Sequence, residues 1–388
     1  MNFRKCYGLE PASGAPVEIS CNSTIQGVDH LIGNPAVEGF VAPGLIDLQV
    51  NGFAGCDYND PEAPHDEIAR SIHAQYATGV TRLYPTIITG TAERIAGALK
   101  NLTRAKESLA EGIAMEGFHV EGPHISPEDG PRGAHPLLAV RPPDVDEYRR
   151  WQEAANGLVR LVTVSPEWPG TNAYIEQLVR DGVVVAIGHT KATAEQIADA
   201  VTAGATMSTH LGNGAHAVLP RHPNYIWEQL ADDRLAASFI ADGIHLPVSF
   251  LKVALRAKGI ERSILVTDAV MPAGCAPGPY RLGEVDVELH EDQSVRLAGG
   301  TRLAGSALRM DCAVQNLVNL VGLSLVEALA MATRNPARVG RIAGRQRGLL
   351  PGERGDIIRF RFAMAERRLD ILETIINGQT VYRAGAPA

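Results

Sequence analysis

The sequence predicts a (β/α)₈ barrel of the TIM-like kind, with a small β-sandwich formed from the N- and C-terminal segments. Three observations predict it. Short apolar, β-branched runs alternate with helix-period segments from about residue 44 to residue 335. Eight such units can be counted, which favours a closed barrel over an open doubly wound sheet. Several of the runs stop at polar residues of the kind that carry chemistry: Asp47 to Asn51, Glu121, His189, His210, Asp242 and Asp268. In a barrel all strand C-termini open onto one face, so residues far apart in sequence would converge there.

Taken in order, the strands are expected at 44–50, 80–86, 113–121, 159–165, 183–189, 205–211, 236–242 and 263–269. Their continuous apolar character suits strands covered on both sides. The segments between them, such as PHDEIARSIHAQYAT, TAEQIADAVTAG and PVSFLKVALRAKG, carry the helical period. The stretch 278–305 reads as one or two β-hairpins inserted after the eighth strand, within a barrel spanning 41–344. Residues 1–40 and 345–388 lack helical periodicity and hold short β-like pieces; the pair Asn377-Gly378 suits a tight hairpin turn. These two ends are assigned to the sandwich, because the termini of a compact unit often lie close together.

Composition excludes several functions. A net charge of −8 argues against a broad basic surface for nucleic acid. The first residues, MNFRKCYGLEPASG, contain no apolar signal core, and no run approaches the roughly 20 apolar residues of a membrane span. Five scattered cysteines without a CxxC pair point away from disulfides and thiolate zinc sites, so the cytoplasm is the expected compartment.

Glu121, His189 and His210 each end a strand and together offer one oxygen and two nitrogens to a divalent ion. Three protein ligands leave a position for water, the pattern of a catalytic site. One ion per subunit is expected, Zn²⁺ foremost, with Fe²⁺, Mn²⁺ and Co²⁺ as alternatives that the same ligand set accepts. Asp268, ending the last strand, could take a proton from water and pass it to a leaving amine. Its other role would be to cap the following turn. A binuclear hydrolase would want two histidines on the first strand; Gln49 and Asn51 stand there instead and are poor zinc ligands. No lysine ends the fourth strand, so a single ion is favoured. In the loop after the sixth strand, Asn213 and Gly214 can present hydrogen-bond donors. Arg221 could grip an anion there or serve as a solvated loop charge. His245 follows the seventh strand, and His135 lies in a Gly/Pro-rich loop over the mouth; His119 and His124 are read as structural.

The ordered set PGLIDLQVNG, HVEGPHISPEDGPRGAHP, AIGHT, THLGNGAHAVLPRHPN, ADGIHLP, VTDAVMPAG and LAGS, from about residue 41 onward, resembles the N-acetylglucosamine-6-phosphate deacetylases of the amidohydrolase superfamily. The resemblance implies hydrolysis of the N-acetyl group of an amino-sugar phosphate on a barrel with a small β-sandwich, usually as a homodimer. It implies Glu121, His189 and His210 as metal ligands and Asp268 as the acid/base. Asn213, Gly214, Arg221, His245 and His135 would lie around the sugar and its phosphate, and in such dimers a phosphate-binding residue can come from the neighbouring subunit. Gln49 and Asn51 match the single-metal members. The chain departs from the family at Gly212-Asn213-Gly214-Ala215-His216, where an aromatic residue and then Asn-Ala-Met is usual. That change bears on the substrate, and a rival reading is a deacylase of another N-acyl amino sugar or an N-acyl amino acid. A catalytically silent binding barrel is the rival from a different class.

Overall fold

The structure is a computed structural model and describes residues 3–33, 37–282, 285–363 and 367–386. Parts of the expected end segments (1–2, 34–36, 364–366 and 387–388) and residues 283–284 of the expected insertion lie outside the described residues. Eight strands, Leu45–Val50, Val80–Ile88, Phe118–Glu121, Val159–Val164, Val184–Ile187, Met207–Ser208, Ala236–Phe239 and Ser263–Leu265, form one parallel sheet in chain order. Every residue of the first strand is buried, as a strand between a barrel interior and an outer layer of helices must be.

The seam between the last and first strands is closed differently from the other junctions. Asp268 N–H donates to Gln49 O at 2.9 Å, and Asn51 N–H donates to Ala269 O at 2.7 Å. Below them the buried Asp47 carboxylate accepts from the Thr267 hydroxyl at 2.5 Å and from the Thr267 and Gln49 N–H groups at 3.2 Å. A side chain thus completes the barrel beside the residue expected to do acid–base work.

Two expected strands are shorter than the sequence suggests. Over 113–121 only Phe118–Glu121 is strand, while Ala110–Ala114 is a 3₁₀ turn. Ala114 and Met115 are fully buried, and of these two only Met115 pairs, in a single parallel bridge to Leu83. Over 205–211 only Met207–Ser208 pairs regularly, because the chain turns left-handed at His210.

After the eighth strand, Gly278–Leu282, Val285–Leu289, Ser294–Leu297 and Leu303–Ser306 make an antiparallel sheet whose Val287, Leu289 and Val295 pack against the barrel core. A further seven-stranded sheet draws on both ends of the chain. Its central link sets Phe40–Pro43 between Arg4–Leu9 and Ile357–Ala363. One face buries its own cluster, Cys6, Val17, Ile19, Cys21, Ile25, Val41, Ile357 and Ile375. From the other, Ile358, Phe360, Leu369 and Ile371 join the barrel core. All five cysteines are free.

At the N-terminal end of the barrel strands, Asp356 accepts from Arg82 and Arg345, each at 2.7 Å, and from the Asn377 N–H at 2.8 Å. Arg345 also donates to Gly44 O and Arg82 to Ile113 O. Burial pushes the Asp356 carboxyl up, but the two guanidinium groups overrule it and hold it below its ordinary value. This network ties the terminal sheet to the barrel floor.

Candidate metal and catalytic site

The third, fifth and sixth strands deliver Glu121, His189 and His210 to one point at the C-terminal mouth. Glu121 Oε1 lies 3.1 Å from His189 Nε2 and 2.8 Å from His210 Nε2, and the two nitrogens are 3.1 Å apart. All three side chains are buried. His189 Nδ1 faces the Pro131 carbonyl at 2.8 Å, so that nitrogen carries the proton and Nε2 presents a lone pair to the centre. Two imidazoles and a carboxylate, buried and aimed at one point, fit a bound divalent ion. Among the described residues they are the only such group of metal-ligating side chains.

Beneath this trio runs a buried polar belt. His119 Nε2 meets Thr163 Oγ1 at 2.7 Å, and Thr163 meets Thr209 Oγ1 at 2.7 Å. His119 is therefore a satisfied interior histidine. His124 is also interior, stacked on Trp151 with ring centroids 5.3 Å apart.

Asp268 stands over the seam and lines the same cavity, which has a volume of about 810 Å³. Gln49 Nε2 donates to Asp268 Oδ1 at 3.1 Å and Asn51 Nδ2 donates to the same oxygen at 2.7 Å. Burial, and then the nearby Glu121 charge, push its carboxyl up to about 6, within reach of proton exchange near neutral pH. His189, His210 and Asp268 all have left-handed backbone, with φ of 48°, 29° and 50°. Three non-glycine residues held in this sparsely populated region within one site is the arrangement expected where function, not packing, sets the geometry.

The other expected residues are distributed around the mouth. His135 Nδ1 meets Thr89 Oγ1 at 2.8 Å, and its ring packs on His189 with centroids 4.4 Å apart. Burial pushes its pKa down to about 3, so the imidazole is neutral. His245 is held by a tight turn in which Asp242 accepts from the Ile244 and His245 N–H groups and from His245 Nδ1 at 2.5 Å. Asn213 and Gly214 line the cavity with His245 and His135. Arg221 does not: it is exposed on the loop after His210 and is not part of the cavity of its own chain.

The 212–216 loop has a clear physical logic. A Cβ on Gly214 would stand 2.7 Å from His189 Nδ1. One on Gly212 would stand 2.7 Å from Leu246 and Phe250, so Phe250 already fills the space a larger side chain there would need. His216 is tied to the opposite loop through Glu128 at 3.1 Å. Sequence reading missed Arg132 and Arg302, which also line the cavity. Arg302, from the inserted sheet, donates to Gly133 O at 2.6 Å and reaches Asp129 at 3.3 Å. It braces the loop that holds Pro131 against His189. Nothing local in TRLAG signals that contact.

The model of the Amidohydrolase family matches residues 40–381. The chain is 30% identical over 348 residues to an N-acetylglucosamine-6-phosphate deacetylase of Bacillus subtilis, covering 89% of this chain and 85% of that one. It is 33% identical over 319 residues to an N-acetylgalactosamine-6-phosphate deacetylase of Escherichia coli O157:H7, covering 82% of each. Among solved structures it matches a mutant N-acetyl-D-glucosamine-6-phosphate deacetylase from Mycobacterium smegmatis in complex with N-acetyl-D-glucosamine-6-phosphate. That match has a TM-score of 0.85, 30% identity and coverage of 94% of both chains.

Proposed function

The chain belongs to the amidohydrolase family, and from that premise we propose that it hydrolyses N-acetylglucosamine 6-phosphate to glucosamine 6-phosphate and acetate. It is a hydrolase acting on an amide bond. The observation that carries the reading is the convergence of Glu121, His189 and His210 on one point of a cavity that Asp268 also lines.

Glu121, His189 and His210 would hold one divalent ion, Zn²⁺ foremost. Such an ion, when bound, lowers the pKa of water and polarises a carbonyl. Asp268 takes a proton from the attacking water and delivers it to the departing nitrogen. His135, neutral and fixed by Thr89, offers a donor to the acyl oxygen. Asn213, Gly214 and His245 bind the sugar and its phosphate. Arg221, exposed and outside the cavity of its own chain, would reach a phosphate in the cavity of a partner subunit, so the assembly proposed is a homodimer; the compartment proposed is the cytoplasm. No helix among the described residues is long and apolar enough to cross a membrane.

The galacto epimer is a second reading, favoured by the relative that is 33% identical. Amine release from N-acetylglucosamine 6-phosphate, N-acetylgalactosamine 6-phosphate and unphosphorylated N-acetylglucosamine, with Zn²⁺ and with chelator, tests both. Chelator-sensitive turnover that needs the phosphate supports the proposal, and the faster epimer names the substrate. Equal or absent turnover on all three, with metal bound, would redirect the enzyme to another N-acyl compound.

A further inference from the structure

We propose that Gln49 and Asn51 form a receptor for the departing amine: their N–H groups pin one oxygen of Asp268, and their carbonyl oxygens accept the N–H groups of the new ammonium. The inference rests on amide hydrolysis at this site, as read above.

Both side chains are buried, 1% and 5% exposed. The bonds to Asp268 Oδ1 fix the nitrogen end of each amide. The opposite ends, Gln49 Oε1 and Asn51 Oδ1, are buried and have no hydrogen-bond partner among the described residues. Buried acceptors are nearly always paired, because leaving one unpaired is costly. Here two stand on the same side of one strand end, two residues apart, beside a carboxylate. Asn51 and Asp268 both line the cavity. Asn51 Oδ1 and the Asp268 carboxylate at the cavity wall, with the unpartnered Gln49 Oε1 two residues along the strand, define a place for a small, donor-rich cation.

The reaction generates such a group. The water oxygen bonds to the acyl carbon and the C–N bond breaks. One water proton passes through Asp268 to nitrogen, and the proton of the new carboxylic acid completes the ammonium, leaving carboxylate. The substrate amide has a single N–H; the product has three N–H donors and a positive charge. Acceptors that engage only as charge builds on nitrogen favour bond cleavage over substrate binding. With Oδ1 of Asp268 occupied by two donors, Oδ2 is the oxygen that shuttles the proton.

The test is calorimetric binding of glucosamine 6-phosphate and glucose 6-phosphate to the zinc-loaded enzyme. These sugars differ only by an amine in place of the C2 hydroxyl. Wild type should prefer the amine by tenfold or more. Asn51→Leu and Gln49→Met should each cut that preference severalfold, and together at least tenfold, with one metal per chain retained. Asn51→Asp keeps an acceptor but loses the donor to Asp268, so it should keep the preference while turnover falls. No preference in wild type, or an unchanged preference in the apolar variants, would overturn the proposal. Should the apolar variants not fold, the wild-type ratio and Asn51→Asp still decide it. Failure of the underlying functional reading shows separately, as absent turnover of both acetamido sugar phosphates by wild type.

Discussion

At the floor of the barrel, Arg82, Arg345 and Asp356 are 3%, 2% and 1% exposed; at the mouth, Glu121, His189 and His210 are 2%, 7% and 3% exposed. Equal burial conceals opposite construction. At the floor every charge meets its opposite, and Asp356 is further held by a backbone N–H. None of the three has left-handed backbone. At the mouth, two histidines and Asp268 are left-handed, and Gln49 Oε1, Asn51 Oδ1 and His210 Nδ1 are buried without partners among the described residues. A satisfied network of buried charge specifies a junction. An unsatisfied one, held in strained backbone, is waiting for something the chain does not supply.

The contrast can be broken at either end. The largest effect is expected at the mouth: Asp268→Asn should cost about 10³- to 10⁴-fold in kcat, the scale of lost acid–base catalysis. Metal content and Tm should stay at wild-type levels, and near-wild-type turnover would remove Asp268 from the mechanism. Next comes Arg345→Met at the floor. It takes one of two guanidinium partners from the buried Asp356 and the donor from Gly44 O, and should destabilise by about 1–3 kcal/mol, read by urea unfolding. The folded fraction should keep its kcat/KM. A change in kcat/KM exceeding the change in folded fraction would mean that floor and mouth are not independent.

Acid should act on the floor in the same sense. Asp356 has a folded pKa below its unfolded value, so its contribution is complete above the ordinary carboxylate range and is lost as pH falls through the folded value. A Tm series downward from pH 7 should therefore fall more steeply below about pH 4 in wild type than in Arg345→Met. Parallel curves would refute the assignment. The smallest effect is reserved for Arg302→Ala. Its contacts are largely exposed, so stability should change by under about 1 kcal/mol. Turnover should still drop a fewfold through the looser loop behind His189, and unchanged turnover would show that the brace is idle.

Legibility in the sequence followed the same division. Alternating apolar runs revealed the parallel barrel, because burial on both faces of a strand writes itself into local composition. The convergence of Glu121, His189 and His210 was legible because each lies at or just past the end of its strand, and position along a strand survives in sequence. What stayed hidden depends on distant partners or on backbone angles. Arg82 and Asp356 are 274 residues apart, and neither has a local signal of pairing. The left-handed turns at His189, His210 and Asp268 have no glycine to announce them. The two amides at 49 and 51 were read as missing metal ligands; that they grasp Asp268 could be seen only once the seam had closed. The departure at 212–216 was visible, but Phe250 filling the space beside Gly212 was not.

The sheet shared by the two ends of the chain bears on how the protein is made. Arg4 meets Glu373 across 369 residues at 2.7 Å, and Phe40 pairs beside Phe360. During synthesis the strands at 4–30 emerge before the barrel and can pair with one another, but their remaining neighbours leave the ribosome only after the whole barrel. Until then Val41 and Ile25 lack Ile357 and Ile375, and one strand edge stays open. A nascent chain in that condition is exposed to misassembly while the whole barrel is translated, so its successful production should lean on chaperones more than that of a barrel closed by local contacts alone.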